Sequence, residues 1–338
     1  MRIIRYTKEY VFDLCSPPTP QCHASTVLKL PDGDLLAAWF GGTKEGDPDV
    51  RIWVSRRHNG SWEKPFVIAD GLAWTHWNPV LFRNRKGEIF LFYKSGSDRI
   101  ETWRTYVVRS TDGGRSFSAA KELVPGDVGG RGPVKNKPIY LADGTLLAPA
   151  SIERPDIWYC MIDISHDDGD TWEAVRIPMP KEPDADPRTT LIQPTLWEAP
   201  AGCVHALMRT NRGCAYRSDS TDGGRSWCTA YPTEIPNNGS GLDLTQLRDG
   251  TLALVSNPVT KHRYPLTLGF SDNGGQSFRR VLTLEDDVGE FSYPAVIADG
   301  NTLYITYTYD RRGIAFFEVT LAGDEPAGAR PGSTPAGA

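Results

Sequence analysis

The chain has 338 residues, with 37 Lys and Arg against 42 Asp and Glu, so its formal charge is −5. Charged residues at 23% and hydrophobics at 39% match an ordinary soluble globular protein. The mild acidity leaves no basic footprint for nucleic acid, and no run approaches the roughly 20 apolar residues of a membrane span.

In chain order, residues 1–6 lack the apolar segment of a secretory signal, so a cytoplasmic location is expected. Residues 2–12 form a β-rich run, and residues 27–36 alternate apolar and polar around Asp32-Gly33, the pattern of a hairpin. A loop, residues 41–49, and a short β-rich run, residues 51–54, come next. Further hairpins centre near Lys86, Asp143, Ala201, Asp249 and Asp299, and the last apolar run spans residues 313–321. No sustained 3.6-residue stripe appears, which excludes a helical architecture. The six cysteines (Cys15, Cys22, Cys160, Cys203, Cys214, Cys228) have no metal-ligand spacing and read as buried thiols.

Between these hairpins one octet recurs, Ser-x-Asp-x-Gly-x-(Ser/Thr)-aromatic. It stands at residues 110–117, 165–172 and 220–227, with Asn273 in the Asp position of a fourth copy at 271–278 and only the ends kept at 55–62. The starts are separated by 55, 55, 55 and 51 residues. A unit of this length with about four strands is the size of a propeller blade. Six hairpins give an all-β, six-bladed β-propeller over residues 1–321, closed by an N-terminal outer strand. The Gly-, Ala- and Pro-rich residues 322–338 read as a disordered tail. A turn Asp that bonds its own backbone is a folding device, so Asp112, Asp167 and Asp222 are read as structural.

The octets resemble the Asp-box (BNR) repeats of the sialidase superfamily, and the resemblance runs from about residue 22 to residue 319. It implies a site in which three arginines hold a substrate carboxylate, an Asp serves as acid/base, and a Tyr activated by a Glu is the nucleophile. Arg209 matches the second arginine and Arg263 the third. His23 replaces the first, in His23-Ala24-Ser25. Gln193 replaces the activating Glu, and Phe291-Ser292 stands where the family has Tyr-Ser, with Tyr293 two residues on and expected at a shifted position. Asp47 or Asp49, in the loop after the first hairpin, matches the acid/base, with Asp47 nearer the loop tip.

A propeller gathers the starts of its inner strands around one funnel. Here those starts are polar, aromatic and cationic, which suits a sugar site. The candidate catalytic residues are Asp47, Tyr293, His23 and His76; the candidate substrate-binding residues are Arg209, Arg263, Gln193, Asn78, Lys135, Lys137 and Trp77. Asp243 and Glu290 are the carboxylates in this set available as a base for Tyr293, and the loop around Gly129-Gly130-Arg131-Gly132 is expected to lie over the funnel. Arginine's planar fork suits a carboxylate, and His serves as a proton donor or acceptor near neutral pH. The expected substrate is a carbohydrate bearing a carboxylate, and the leading activity is a sialidase-like exo-glycosidase. The lost Glu leaves two alternatives: a lyase on uronic-acid glycans using His and Tyr, and a non-catalytic glycan-binding propeller. No cofactor or metal is implied, and nothing in the sequence speaks to oligomeric state.

Overall fold

The structure is a computed structural model and describes residues 1–68, 71–97, 99–180 and 189–322. Six antiparallel sheets form the blades of a β-propeller. Blade 1 runs outward from Gln21–Lys29 through Leu35–Gly42 and Arg51–His58 to Ser61–Trp62. Blade 2 runs from Thr75–Arg83 through Ile89–Gly96 and Arg104–Ser110 to Lys121–Glu122. Blade 3 comprises Ile139–Tyr140, Leu146–Glu153, Trp158–Ser165 and Glu173–Arg176. Blade 4 comprises Leu191–Glu198, Val204–Thr210, Cys214–Ser220 and Tyr231–Pro236. Blade 5 comprises Asp243–Gln246, Leu252–Ser256, Leu266–Ser271 and Arg279–Glu285.

Blade 6 draws three strands, Phe291–Asp299, Thr302–Tyr309 and Gly313–Leu321, from the end of the chain and its fourth, Ile3–Tyr10, from the beginning. Tyr6 stands opposite Val319 in this antiparallel pair, which covers the last open edge as expected. The second strands of the blades are sandwiched between neighbouring sheets. Leu35–Gly42 and Ile89–Gly96 are buried at every position; the first is a continuous apolar run instead of a strict alternation, and the second is apolar up to Tyr93. The cores lie between blades: Leu36, Val54, Trp77, Leu91 and Val108 join blades 1 and 2, and Val255, Leu268, Val296 and Phe317 join blades 5 and 6. Among the described residues the helical content is one 3-10 turn, Ile100–Thr102, and no helix is long and apolar enough to cross a membrane. Apart from Ala322, the expected tail lies outside the described residues.

The repeated octet closes on itself. Ser220 donates its hydroxyl to Asp222 Oδ1 (2.7 Å) and accepts the Gly224 N–H (2.8 Å), while Asp222 accepts the Ser226 N–H (2.9 Å) and hydroxyl (2.6 Å). The hydroxyls of Ser226 and Ser220 hold the Asp222 carboxyl down to about 2, against the opposing effect of partial desolvation. Asn273 bridges the same groups with its amide, accepting from Ser271 (2.8 Å) and the Ser277 N–H (3.1 Å), but its Nδ2 donates to the Ser277 hydroxyl (2.9 Å) where Asp222 accepts. Each turn presses on the preceding blade. Gly224, at φ +85°, lies so close to Leu147 of blade 3 that a Cβ would stand 3.0 Å from Leu147 Cδ1. The corresponding glycines of blades 2, 3 and 5 meet Leu36, Phe90 and Trp197. The octet is therefore a weld between blades.

Candidate functional site

An inner strand has no β-partner on its axial side, so its backbone groups need other partners. Side chains of the preceding blade supply them. Ala24 N–H donates to Thr308 Oγ1 (3.1 Å), Leu81 N–H to Thr26 Oγ1 (3.2 Å), Gln193 N–H to Ser151 Oγ (2.7 Å), Leu244 N–H to Thr195 Oγ1 (3.2 Å) and Val296 N–H to Asp243 Oδ2 (2.9 Å). Freed from a ladder, these strands bulge: register slips fall after His23, Trp77, Ile192 and Ser292. Ala24, Asn78, Gln193 and Tyr293 take left-handed φ of 54°, 48°, 53° and 53° there, and Lys135 takes 66° at the entry to blade 3. A non-glycine residue held this way costs roughly 1–3 kcal/mol, and the bulge re-aims its side chain. Blade 5 has Gly241 beside the axis, where a Cβ would stand 3.0 Å from Lys135 Cε and 3.2 Å from Gln193 Oε1.

Tyr293 is thus in step with Gln193 on the propeller's own register, not displaced from it. Arg209 Nη1 donates to Tyr293 Oη (2.6 Å) and to Gln193 Oε1 (3.2 Å). The guanidinium carbons of Arg209 and Arg263 each lie 5.6 Å from the centroid of the Tyr293 ring. His23 packs on the same ring, 4.2 Å between centroids, and its Nδ1 is buried without a hydrogen-bond partner. Burial first, then the charges of Arg311, Arg263, Arg209 and Lys135, hold the His23 imidazole well below its usual range, so it is neutral.

Arg311 belongs to no motif of the sequence. It sits in the turn between Thr302–Tyr309 and Gly313–Leu321, and its carbonyl accepts the Cys22 N–H (2.7 Å). Glu290 Oε1 accepts from both Arg263 Nη1 (2.6 Å) and Arg311 Nε (2.9 Å), which brings these two guanidiniums onto one oxygen. Glu45, in the loop that carries Asp47, takes the other side of Arg311 (2.5 Å). The substitution of Arg by His at position 23 is the one feature that points to a compensating cation nearby.

The remaining candidates divide. Asp49 is committed to the Thr43 N–H and hydroxyl (2.9 Å each), whereas the half-exposed Asp47 carboxylate has no hydrogen-bond partner among the described residues. Thr75 pins the Asp47 carbonyl (3.0 Å). Lys135 is buried at the axis, donating to the carbonyls of Pro294 and Leu242, and burial pulls its ammonium down to about 7. Lys137 grips both Asp243 oxygens (3.0 and 2.9 Å), and Asp243 also accepts from Thr195 (2.8 Å). Asp243 and Glu290 therefore have cation partners of their own, and neither hydrogen-bonds Tyr293. Trp77 is in the core, stacked on Trp103 at 4.3 Å, and His76 is fully buried against Tyr93. Asn78 is buried at its bulge. The Gly129–Gly132 stretch does not lie free over the funnel. Asp163 takes the Arg131 Nε and Gly132 N–H (2.6 Å each), and buried Lys94 takes carbonyls 130–132.

A family model described as a BNR repeat-like domain matches residues 33–305. No curated protein matches the chain in sequence. Among solved structures, the Hadza microbial sialidase Hz136 is 20% identical with a TM-score of 0.76, over 93% of this chain and 68% of that one. A protein of unknown function from Dyadobacter fermentans is 18% identical with a TM-score of 0.73, over 95% of this chain and 99% of that one. Trypanosoma rangeli sialidase in complex with the inhibitor DANA is 14% identical with a TM-score of 0.72, over 93% of this chain; the match spans only 59% of that protein. At these identities the likeness is one of fold.

Proposed function

The chain belongs to the BNR repeat-like domain family, and from that premise we propose that it is a sialidase-like exo-glycosidase releasing a terminal sugar that bears a carboxylate. The observation that carries this reading is the placing of two guanidiniums from different blades, Arg209 and Arg263, at 5.6 Å from one tyrosine ring, with Arg311 sharing Glu290 with the second. Three planar forks around one funnel suit a small planar anion. Each charge-assisted bond contributes roughly 1.5–3 kcal/mol net, enough to fix an acidic sugar in one orientation. Asp47, unpartnered at the loop tip, gives its proton to the leaving glycosidic oxygen. Tyr293 accepts from Arg209 and keeps its own hydroxyl proton for the sugar. His23 is neutral and backs the tyrosine ring.

Fluorogenic glycosides of sialic acid, a uronic acid and a ketodeoxy sugar test this directly. Turnover of at least one is expected, abolished in Arg209→Ala; silence on all three removes the reading. One feature favours a second reading, β-elimination on a uronic-acid glycan. Tyr293 has no carboxylate partner among the described residues and touches a neutral imidazole, a pair suited to proton abstraction without a covalent nucleophile. Ultraviolet absorbance of an unsaturated product from uronate oligosaccharides distinguishes it from hydrolysis.

A further inference from the structure

The funnel holds a carboxyl group that the arginine cluster leaves unexplained. Glu153 ends the strand Leu146–Glu153, whose final residues lie at the funnel end of blade 3. Two residues earlier on the same face, Ser151 Oγ accepts the Gln193 N–H at 2.7 Å. Glu153 therefore stands one step above the Gln193–Arg209 pair, on the seam between blades 3 and 4. It is half-buried, and among the described residues it accepts no hydrogen bond. A desolvated carboxyl without a donor is costly and calls for a reason. The charged and titratable groups that act on it are Arg209 of blade 4, Lys94 of blade 2 and Cys160 of its own blade. Lys94 is already committed to Thr105 and to carbonyls 130–132. Burial pushes the Glu153 carboxyl up to about 7, and the opposing pull of Arg209 and Lys94 does not restore it.

We propose that Glu153 is a catalytic residue, the proton acceptor that replaces, from the neighbouring blade, the carboxylate missing at Gln193. This rests on the hydrolase reading. The Glu153 carboxylate takes a proton from a water held in the funnel. The water oxygen bonds to the anomeric carbon as the glycosidic C–O bond breaks, and the leaving oxygen receives the Asp47 proton. Two carboxyl groups then carry the reaction with no sugar bound covalently to Tyr293, and the configuration at the anomeric carbon inverts. A carboxyl in this position serves as a base in the half of the population that is ionised near neutrality, so the rate climbs as pH rises through about 7.

The test is Glu153→Gln in the full chain, assayed on whichever acidic glycoside the wild type turns over. Expected are a kcat reduced by about 10²–10⁴, a KM little changed, loss of the rise through neutrality, and an inverted first-formed anomer in the wild-type product by NMR. Wild-type kcat in Glu153→Gln, or a retained anomer, overturns the proposal while leaving the hydrolase reading intact. A second measurement needs no turnover. Infrared difference spectra identify the carboxyl band that Glu153→Gln lacks, and addition of N-acetylneuraminate or glucuronate is expected to shift it. A band unmoved by both sugars overturns the assignment even for a protein silent on every glycoside.

Discussion

Two sets of repeated positions run around this propeller, and they behave oppositely. At the weld turns the backbone and side chains both repeat: Ser, Asp or Asn, Gly, and Ser or Thr close the same bonds in four blades. At the axial bulges the backbone repeats, with φ between 48° and 66° in five blades, but the side chains are Ala24, Asn78, Lys135, Gln193 and Tyr293. One device with one filling serves the fold. One device with five fillings presents different chemistry to a common centre, and the strain of those left-handed residues is spent there.

The sharpest way to break this comparison is Tyr293→Phe. It keeps the bulge and the ring contacts with His23, Arg209 and Arg263 but removes the hydroxyl, so kcat/KM on the acidic glycoside is expected to fall by about 10²–10⁴ with the thermal midpoint nearly unchanged. Equal losses of activity and stability would place Tyr293 with the welds. Next comes Arg311→Ala. Loss of one charge-assisted contact to the substrate is expected to raise KM about 10–150-fold, and the effect should vanish on a substrate analogue lacking its carboxylate; an equal rise on that analogue breaks the assignment. Smaller and opposite in kind is Asp222→Ala, expected to lower stability by about 1–3 kcal/mol in denaturant titrations at unchanged kcat/KM.

Asp222→Asn should cost least, because Asn273 already bridges the equivalent groups in blade 5, with the serine hydroxyl turned to accept. It also carries a pH signature. The Asp222 carboxyl is held at about 2, below its ordinary 3.8. Its contribution is therefore complete above 3.8 and is lost as pH falls from there through 2. The difference between wild type and Asp222→Asn should shrink across that window, and a constant difference would show that the carboxylate is not the bonded form.

The fold was legible because the weld turn needs nearly the same residues wherever it occurs, so its spacing survives as a pattern in the letters. Closure by the first strand was legible for a related reason: the last run, Gly313–Leu321, has no octet after it, and residues 2–12 supply the outer strand its blade lacks. The axial site was legible only in part. Arg209 and Arg263 stand out because each lies shortly ahead of an octet, 11 residues before Ser220 and 8 before Ser271. Lys135 and Lys137 stand together at one inner-strand start, yet one is buried onto carbonyls and the other onto Asp243, a distinction made by neighbours distant in sequence that no spacing records. Arg311 lies in an ordinary-looking hairpin turn, and Glu153 at a strand end that reads as a solvated charge. Both owe their place to blades distant in sequence.

The strand Ile3–Tyr10 fastens a ring whose two sides meet between His23 and Arg311. Its residues are synthesised before its partner, Gly313–Leu321, and meet it only after the five intervening blades have been made. Until then the clasp is open and the cationic pocket is incomplete. Prising off this one peripheral ribbon is expected to silence the centre while leaving the side chains of Arg209, Arg263 and Tyr293 unaltered.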